Sequence, residues 1–114
     1  MLPRENKLKR DNDFKKVFER GQYLSDILAS IKFLKNSSEV VRFAFVVSSK
    51  VSKKAVVRNR LRRILEEAVR LNFSRMNAGF DAVVMVRPAM AEAKPEEARQ
   101  SLLGLIKKAN LFKN

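Results

Sequence analysis

Between Lys50 and Arg63 the chain carries seven cations and no acid: Lys50, Lys53, Lys54, Arg58, Arg60, Arg62 and Arg63. Such a run repels itself in water and disfavours an isolated helix. A row of phosphates relieves that repulsion. The apolar period that begins near Lys54 puts these cations at a helix start, where unpaired backbone N–H groups attract anions. Arginine adds geometry to charge. Its planar fork takes two phosphate oxygens, or a phosphate and a base edge. In Arg58-Asn59-Arg60 an amide lies between two forks, and successive helical residues point about 100° apart. The two arginines can therefore engage different backbone segments, which suits a folded RNA. The alternative is a merely solvated basic face. The density of cations and the lack of acids weigh against it.

Other residues that could do chemistry are scarce. There is no Cys and no His. That removes thiolate nucleophiles, disulfides, Cys-ligated zinc and the usual acid–base residue near neutral pH. Glu66 and Glu67 are neighbours on one helix, so their carboxylates diverge rather than share a metal. The expected pairings are Glu66 with Arg62 or Arg63, and Glu67 with Arg63 or Arg70. Asp11 and Asp13 read as helix caps. No dense acid cluster appears, although distant acids could meet in space, so the residues alone single out no catalytic residue and no metal ligand. Phe14 and Phe18 could stack on unpaired bases, although their spacing alone favours core packing. Lys32, on the strand face opposite Phe33, is either an isolated surface lysine or one wall of a basic groove.

Six elements position these residues. Asp11-Asn12-Asp13 opens a short helix over about 12–20, with Phe14, Val17 and Phe18 on one side and Gly21 at a C′ stop. Leu24 to Leu34 alternates as one strand, with Ile27, Ala29, Ile31 and Phe33 on one face. Lys35-Asn36-Ser37-Ser38 is a turn signal. Val40 to Ser48 alternates again, with Val41, Phe43, Phe45 and Val47 together, so the two strands can form an antiparallel hairpin. A helix runs from about Lys54 to Phe73 on a stripe of Val57, Leu61, Ile64, Leu65, Ala68 and Val69. Asn77-Ala78-Gly79 breaks the chain. Phe80 to Arg87 is a nearly continuous apolar run, which suits a strand covered on both faces. Pro95-Glu96-Glu97 opens a last helix that buries Ala98, Leu102, Leu105, Ile106 and Ala109.

The 114 residues allow one domain, 1–114, with one core. A composition 46% hydrophobic and 32% charged is globular rather than disordered. Lys and Arg outnumber Asp and Glu by 25 to 12, a net charge of +13 that calls for a polyanionic partner, with nucleic acid ahead of an acidic membrane surface. No run approaches a membrane span, and the N-terminus turns charged at once without a signal-peptide apolar core. The expectation is a soluble cytoplasmic protein.

Three stretches, in this order, resemble the protein subunit of bacterial ribonuclease P. The first is Asn6-Lys7-Leu8-Lys9-Arg10, then Asp13 to Gly21 with Phe14 and Phe18. The second is Arg42-Phe43-Ala44-Phe45-Val46-Val47-Ser48, leading through Lys50 to Ala55-Val56-Val57-Arg58-Asn59-Arg60-Leu61-Arg62-Arg63. The third is Asp81 to Pro88, followed by an amphipathic helix. The Arg-Asn-Arg stretch after the Phe-x-Phe-x-Val-Ser strand is the specific part.

The resemblance implies an α+β sandwich, a mixed sheet of about four strands packed with three helices. It also implies a left-handed βαβ crossover, against the usual hand. It implies that catalysis belongs to an RNA subunit whose bound Mg²⁺ directs water at the phosphodiester. The protein binds that RNA, contacts the 5′ leader of precursor tRNA and assists leader removal. Neither a membrane nor an obligatory protein partner is expected. Carried over by position, Lys50, Lys53, Lys54, Arg58, Asn59, Arg60, Arg62 and Arg63 are RNA-binding. Phe14 and Phe18 match aromatic positions of the leader cleft, and Lys32 joins them. Two departures stand out. Ser49 replaces one of two lysines common after Val-Ser. A tyrosine often found on the cleft face of the first strand has no match, and Lys32 lies near its place. Leader contacts should therefore be more electrostatic and less stacked.

Other readings predict different behaviour. A ribosomal protein or RNA chaperone would bind RNA without speeding cleavage. A self-sufficient nuclease would need Mg²⁺ and one or two essential acids. A DNA-binding protein would need a helix-turn-helix partner that the spacing lacks.

Overall fold

A computed structural model describes residues 2–113. Three α-helices and four strands appear, with short 3₁₀ turns between them: α1 Asp11–Arg20, β1 Gln22–Ser25, β2 Ala29–Lys35, β3 Arg42–Val46, α2 Ala55–Arg70, β4 Phe80–Val86 and α3 Pro95–Lys108. The sheet order is β1-β2-β4-β3. β1 and β2 are antiparallel, β2 and β4 are antiparallel, and β3 runs parallel to β4. This is the mixed four-stranded sheet with three helices that the resemblance implies. No described helix is long and apolar enough to cross a membrane.

The strand between 24 and 34 departs from expectation. It is two strands, because Asp26 makes a turn. Its Oδ1 accepts the Leu28 N–H at 2.8 Å and the Ala29 N–H at 2.9 Å. Its own N–H donates to the Ala29 carbonyl at 2.9 Å. Ile27, expected beside Ala29 and Ile31, therefore sits on the turn at 79% exposure. The expected β2–β3 hairpin does not form either. β4 lies between those strands. Its residues are buried except the half-buried Met85, and an interior position is what covers both faces of such a strand.

The two faces differ in their cover. Ala29, Ile31 and Phe33 of β2, Phe43 of β3, and Ala82, Val84 and Val86 of β4 join the main core with Leu61 and Leu65 of α2 and Leu102 and Ile106 of α3. The opposite face holds a smaller cluster in which Val17 of α1 meets Leu8 and Val83. The register aligns the residues of this second face in rows. Tyr23, Lys32, Val83 and Ala44 form one row, and Ser25, Ser30, Met85 and Val46 the next.

The ends of α1 also differ from the sequence reading. Arg10 is the N-cap, and no side chain caps the helix. Asp13 instead accepts Arg42 Nη1 at 3.1 Å. Gly21 stops the helix in extended backbone (φ −73°) rather than as a left-handed C′ glycine. Its reason is space. A Cβ there would lie 2.4 Å from the Val17 carbonyl oxygen and 2.9 Å from that of Phe33.

Beyond α1 the second sheet face is open, with Tyr23 and Val46 exposed on it, and Arg42 and Asp81 anchor its far end. Arg42 Nε and Nη2 donate to the two Asp81 oxygens at 2.8 and 2.7 Å. Asn36 Nδ2 donates to Asp81 Oδ1 at 2.8 Å and to the Val40 carbonyl at 3.0 Å. Asp81 is 5% exposed. The Asp81 carboxylate, through its hydrogen bond first, holds the Arg42 pKa above the ordinary arginine value.

Candidate nucleic-acid interface

The cation run sits where β3 hands over to α2. Val51 N–H donates to the Ser48 carbonyl at 3.0 Å, and Lys54 N–H to Ser52 Oγ at 3.2 Å. Leu61, Leu65, Ala68 and Val69 turn into the core. That leaves the arc of Arg58, Asn59, Arg60, Arg62 and Arg63 outward. Lys50, Lys53, Lys54, Asn59, Arg60 and Arg63 are exposed, and Arg58 and Arg62 are half-buried. The first turn of α2 has no acid and no side-chain cap. Among the described residues, none of the seven cations forms an ion pair. Their contacts are neutral ones. Arg58 Nη1 donates to the Ser52 carbonyl at 2.8 Å, which braces the loop before the helix. Arg62 Nη1 donates to Asn59 Oδ1 at 2.8 Å.

The acids on α2 keep clear of this arc. Glu67 pairs with Arg70 and accepts its Nε at 3.1 Å. Hydrogen bonding from Arg70 holds the Glu67 pKa below the ordinary carboxylate value. Glu66 does not pair with Arg62 or Arg63; it accepts the Leu2 N–H at 3.4 Å.

The aromatic candidates separate. Phe14 is half-buried and packs against the Leu8, Val17 and Val83 cluster. It also lines a hollow of about 310 Å³ with Lys7, Lys9, Ala44, Phe45 and Arg62. That hollow joins α1 to the basic arc of α2. Phe18 is 41% exposed. Lys32 Nζ lies 5.5 Å from its ring centroid and donates to its carbonyl at 2.6 Å. Lys32 is thus part of a built arrangement rather than an isolated surface charge. A separate pocket at the other end of the sheet, lined by Arg20, Lys35, Phe80 and Leu111 among others, contains none of the candidate residues.

Two residues of this face escaped the sequence reading. Tyr23 stands directly across from Lys32 on β1 and is half exposed. Arg87, just after β4, donates to its hydroxyl at 3.2 Å. Tyr23 was legible as an aromatic after Gly21, but a strand begun at Leu24 leaves it outside the sheet. The open face therefore carries a tyrosine after all, one strand away from the place of Lys32.

Among the described residues, no three carboxylates, His or Cys come together. The arrangement offers phosphate binding on α2 and mixed ring and cation contacts on the sheet. It offers no cage for a metal.

The family profile described as Ribonuclease P matches residues 2–110. The ribonuclease P protein component of Pelotomaculum thermopropionicum is 38% identical over 104 residues, covering 91% of this chain and 92% of the relative. That of Alkaliphilus oremlandii is 35% identical over 107 residues, covering 94% and 93%. The solved RNase P protein from Thermotoga maritima gives a TM-score of 0.80 at 31% identity, covering 90% of this chain and 96% of that one. The RNase P protein of Staphylococcus aureus gives 0.88 at 23% identity, covering 95% and 98%, a likeness of fold. A profile spanning nearly the whole chain and relatives above 30% identity place this chain in the ribonuclease P protein family.

Proposed function

We propose that this chain holds the ribonuclease P RNA on the basic arc of α2 and the 5′ leader of precursor tRNA on the open sheet face. As a family member it is the protein component of ribonuclease P, a subunit of the endoribonuclease that acts in tRNA 5′ processing. A ribosomal protein or RNA chaperone is not favoured by these relatives.

The observation that carries the proposal is the cation run. Seven cations lie in one segment with no carboxylate partner among the described residues. Folded protein usually pairs or disperses such charge, and a phosphate backbone neutralises it from outside. Arg60 and Arg63 contribute free forks, and Asn59 positions Arg62. The hollow between Phe14 and Arg62 lets one RNA surface meet α1 and α2 together. On the sheet face, Phe18 and Lys32 offer a ring and an ammonium to an unpaired nucleotide. The protein's work is to bind, orient and screen charge. The bond-breaking centre belongs to the RNA in this proposal, and Mg²⁺ belongs with it. The partner set is the catalytic RNA and precursor tRNA, with no obligatory protein partner.

Cleavage of precursor tRNA at low Mg²⁺ tests this in four mixtures: buffer, protein alone, ribonuclease P RNA alone, and both. Correct 5′ cleavage that needs the RNA and rises sharply with the protein is expected. Cleavage by protein alone would move the chemistry into the polypeptide. RNA binding without any gain in cleavage would make the chain a simple binding module.

A further inference from the structure

We propose that Tyr23 is a base-stacking platform for single-stranded RNA on the open sheet face, with Arg87 as its phosphate-binding partner. The proposal rests on the reading that this face takes a single-stranded leader.

The face carries rings and cations in alternation. Phe18 lies beside the Lys32 ammonium, 5.5 Å from its ring centroid. Lys32 and Tyr23 are directly opposed across the β1–β2 pair, where side chains on one face are neighbours. Arg87 then reaches the Tyr23 hydroxyl at 3.2 Å. The sequence around the face is thus ring, ammonium, ring, guanidinium. Single-stranded RNA repeats base and phosphate in the same manner. Neither Lys32 nor Arg87 forms an ion pair among the described residues.

Tyr23 joins neither apolar cluster of the described residues. It is 50% exposed, and Phe18 beside Lys32 is 41% exposed. The neighbouring row of Ser25, Ser30, Met85 and Val46 provides a shallow floor without charge. A base of any type can stack on a tyrosine, since every base has a π-face. Arg87 holds the phenol in the free protein. A phosphate takes the same guanidinium by a stronger, charge-assisted contact. The hydroxyl then loses its best donor, and the ring stays against the base. The hydrogen bond from Arg87 is also the first cause that keeps the Tyr23 pKa below the ordinary tyrosine value.

The chain supplies its own reporter. It contains one Tyr and no Trp, so intrinsic emission comes from Tyr23 without a tryptophan background. The 114-residue chain is titrated with a short oligoadenylate and, separately, with inorganic polyphosphate. Oligoadenylate is expected to quench the emission, and polyphosphate is not. Tyr23→Ala should weaken oligoadenylate binding about tenfold, while Tyr23→Phe, which keeps the ring, should restore it. Arg87→Ala should lower the salt slope of binding by about 0.7. An ultraviolet titration of the phenol should shift towards the ordinary tyrosine value when oligoadenylate is bound. Equal quenching by polyphosphate would show displacement of Arg87 without stacking and would overturn the platform. If Phe18→Ala and Lys32→Ala weaken binding while Tyr23 emission and Tyr23→Ala do not respond, the face binds RNA and Tyr23 is not its platform. If none of these variants matters, the leader-face reading falls with the proposal.

Discussion

Arg42 and the arginines at the start of α2 are the same residue type in opposite circumstances. Arg42 is bound on both sides, bidentate to Asp81 and through Nη1 to Asp13. Its charge is used inside the fold, where it ties β3 to β4 and to α1. Arg60 and Arg63 are exposed and have no acid partner among the described residues. No acid of the described fold takes up their charge, which is left for a phosphate. Arg58 lies between these cases, since it braces the Ser52 carbonyl while keeping its charge unpaired. Two jobs for one side chain are therefore distinguished by neighbours, not by residue type. Removing a paired arginine's acid should cost stability. Removing an unpaired arginine should cost binding.

The strongest break of this contrast is Asp81→Ala. It leaves the Arg42 guanidinium partly buried with only Asp13, and Asn36 loses an acceptor. Arg42 keeps Asp13 and is partly exposed, so the loss should fall below the roughly 3–5 kcal/mol of a fully buried pair while staying well above that of a surface pair. Urea unfolding should show a midpoint lowered by that energy divided by the m-value. A shift no larger than that of an exposed acid would mean that Arg42 relaxes into solvent and that the two regions do not differ.

Arg60→Ala with Arg63→Ala tests the other side. Unfolding should change by less than about 0.5 kcal/mol, as for surface sites without special contacts. Affinity for ribonuclease P RNA should fall, and the salt slope should fall by about 0.7–0.9 for each lost phosphate contact. Arg58→Ala should do both, with a stability loss of about 1 kcal/mol from its hydrogen bond. A stability loss in the double variant with an unchanged salt slope would reverse the assignment.

The legible parts of this molecule were those written locally. The stripe of Leu61, Leu65, Ala68 and Val69 and the cations opposite it lie within one helix, so period and charge reveal both. The apolar run of β4 announced a strand covered on both faces. What that run did not show is that it enters the sheet between β2 and β3, since strand order depends on contacts far apart in sequence. Asp13 was readable as a cap by its neighbours, but its partner Arg42 lies 29 residues away. Asp26 was hidden in an alternating pattern that continued through it. Missing that turn lost β1, and with β1 went Tyr23.

Asp26 also sharpens the contrast, because it is a carboxylate held without an arginine. Burial pushes its pKa up. Hydrogen bonds from the Ser101 hydroxyl and the Ala29 and Leu28 N–H groups outweigh that and leave it below the ordinary value. Ser101 Oγ donates to Oδ2 at 2.6 Å and ties the β1–β2 turn to α3. A carboxyl with a depressed folded pKa contributes stability that is full above its unfolded pKa. That contribution is lost as pH falls through the folded pKa. Ser101→Ala should cost about 1 kcal/mol at neutral pH. It should also flatten the loss of stability in acid, because the folded and unfolded pKa values move closer. Equal acid slopes in the two proteins would show that other carboxyls control that limb.

The smallest effect should come from Arg70→Ala, which asks whether a paired cation elsewhere on α2 counts towards binding. Arg70 lies on α2 with the arginines proposed to bind RNA, yet it is paired with Glu67. It sits at the exposed C-terminal end of the helix, where a cation also favours the dipole. Exposed pairs contribute little to stability, so unfolding should barely move. If free charge is what binds RNA, removing Arg70 should leave the affinity and the salt slope close to those of the unaltered chain. If every cation of α2 counts equally, Arg70→Ala should lower the slope as much as Arg60→Ala does. Salt titrations of the two single variants against the same ribonuclease P RNA distinguish these outcomes. Equal slopes would mean that any cation of α2 counts, whether or not an acid holds it.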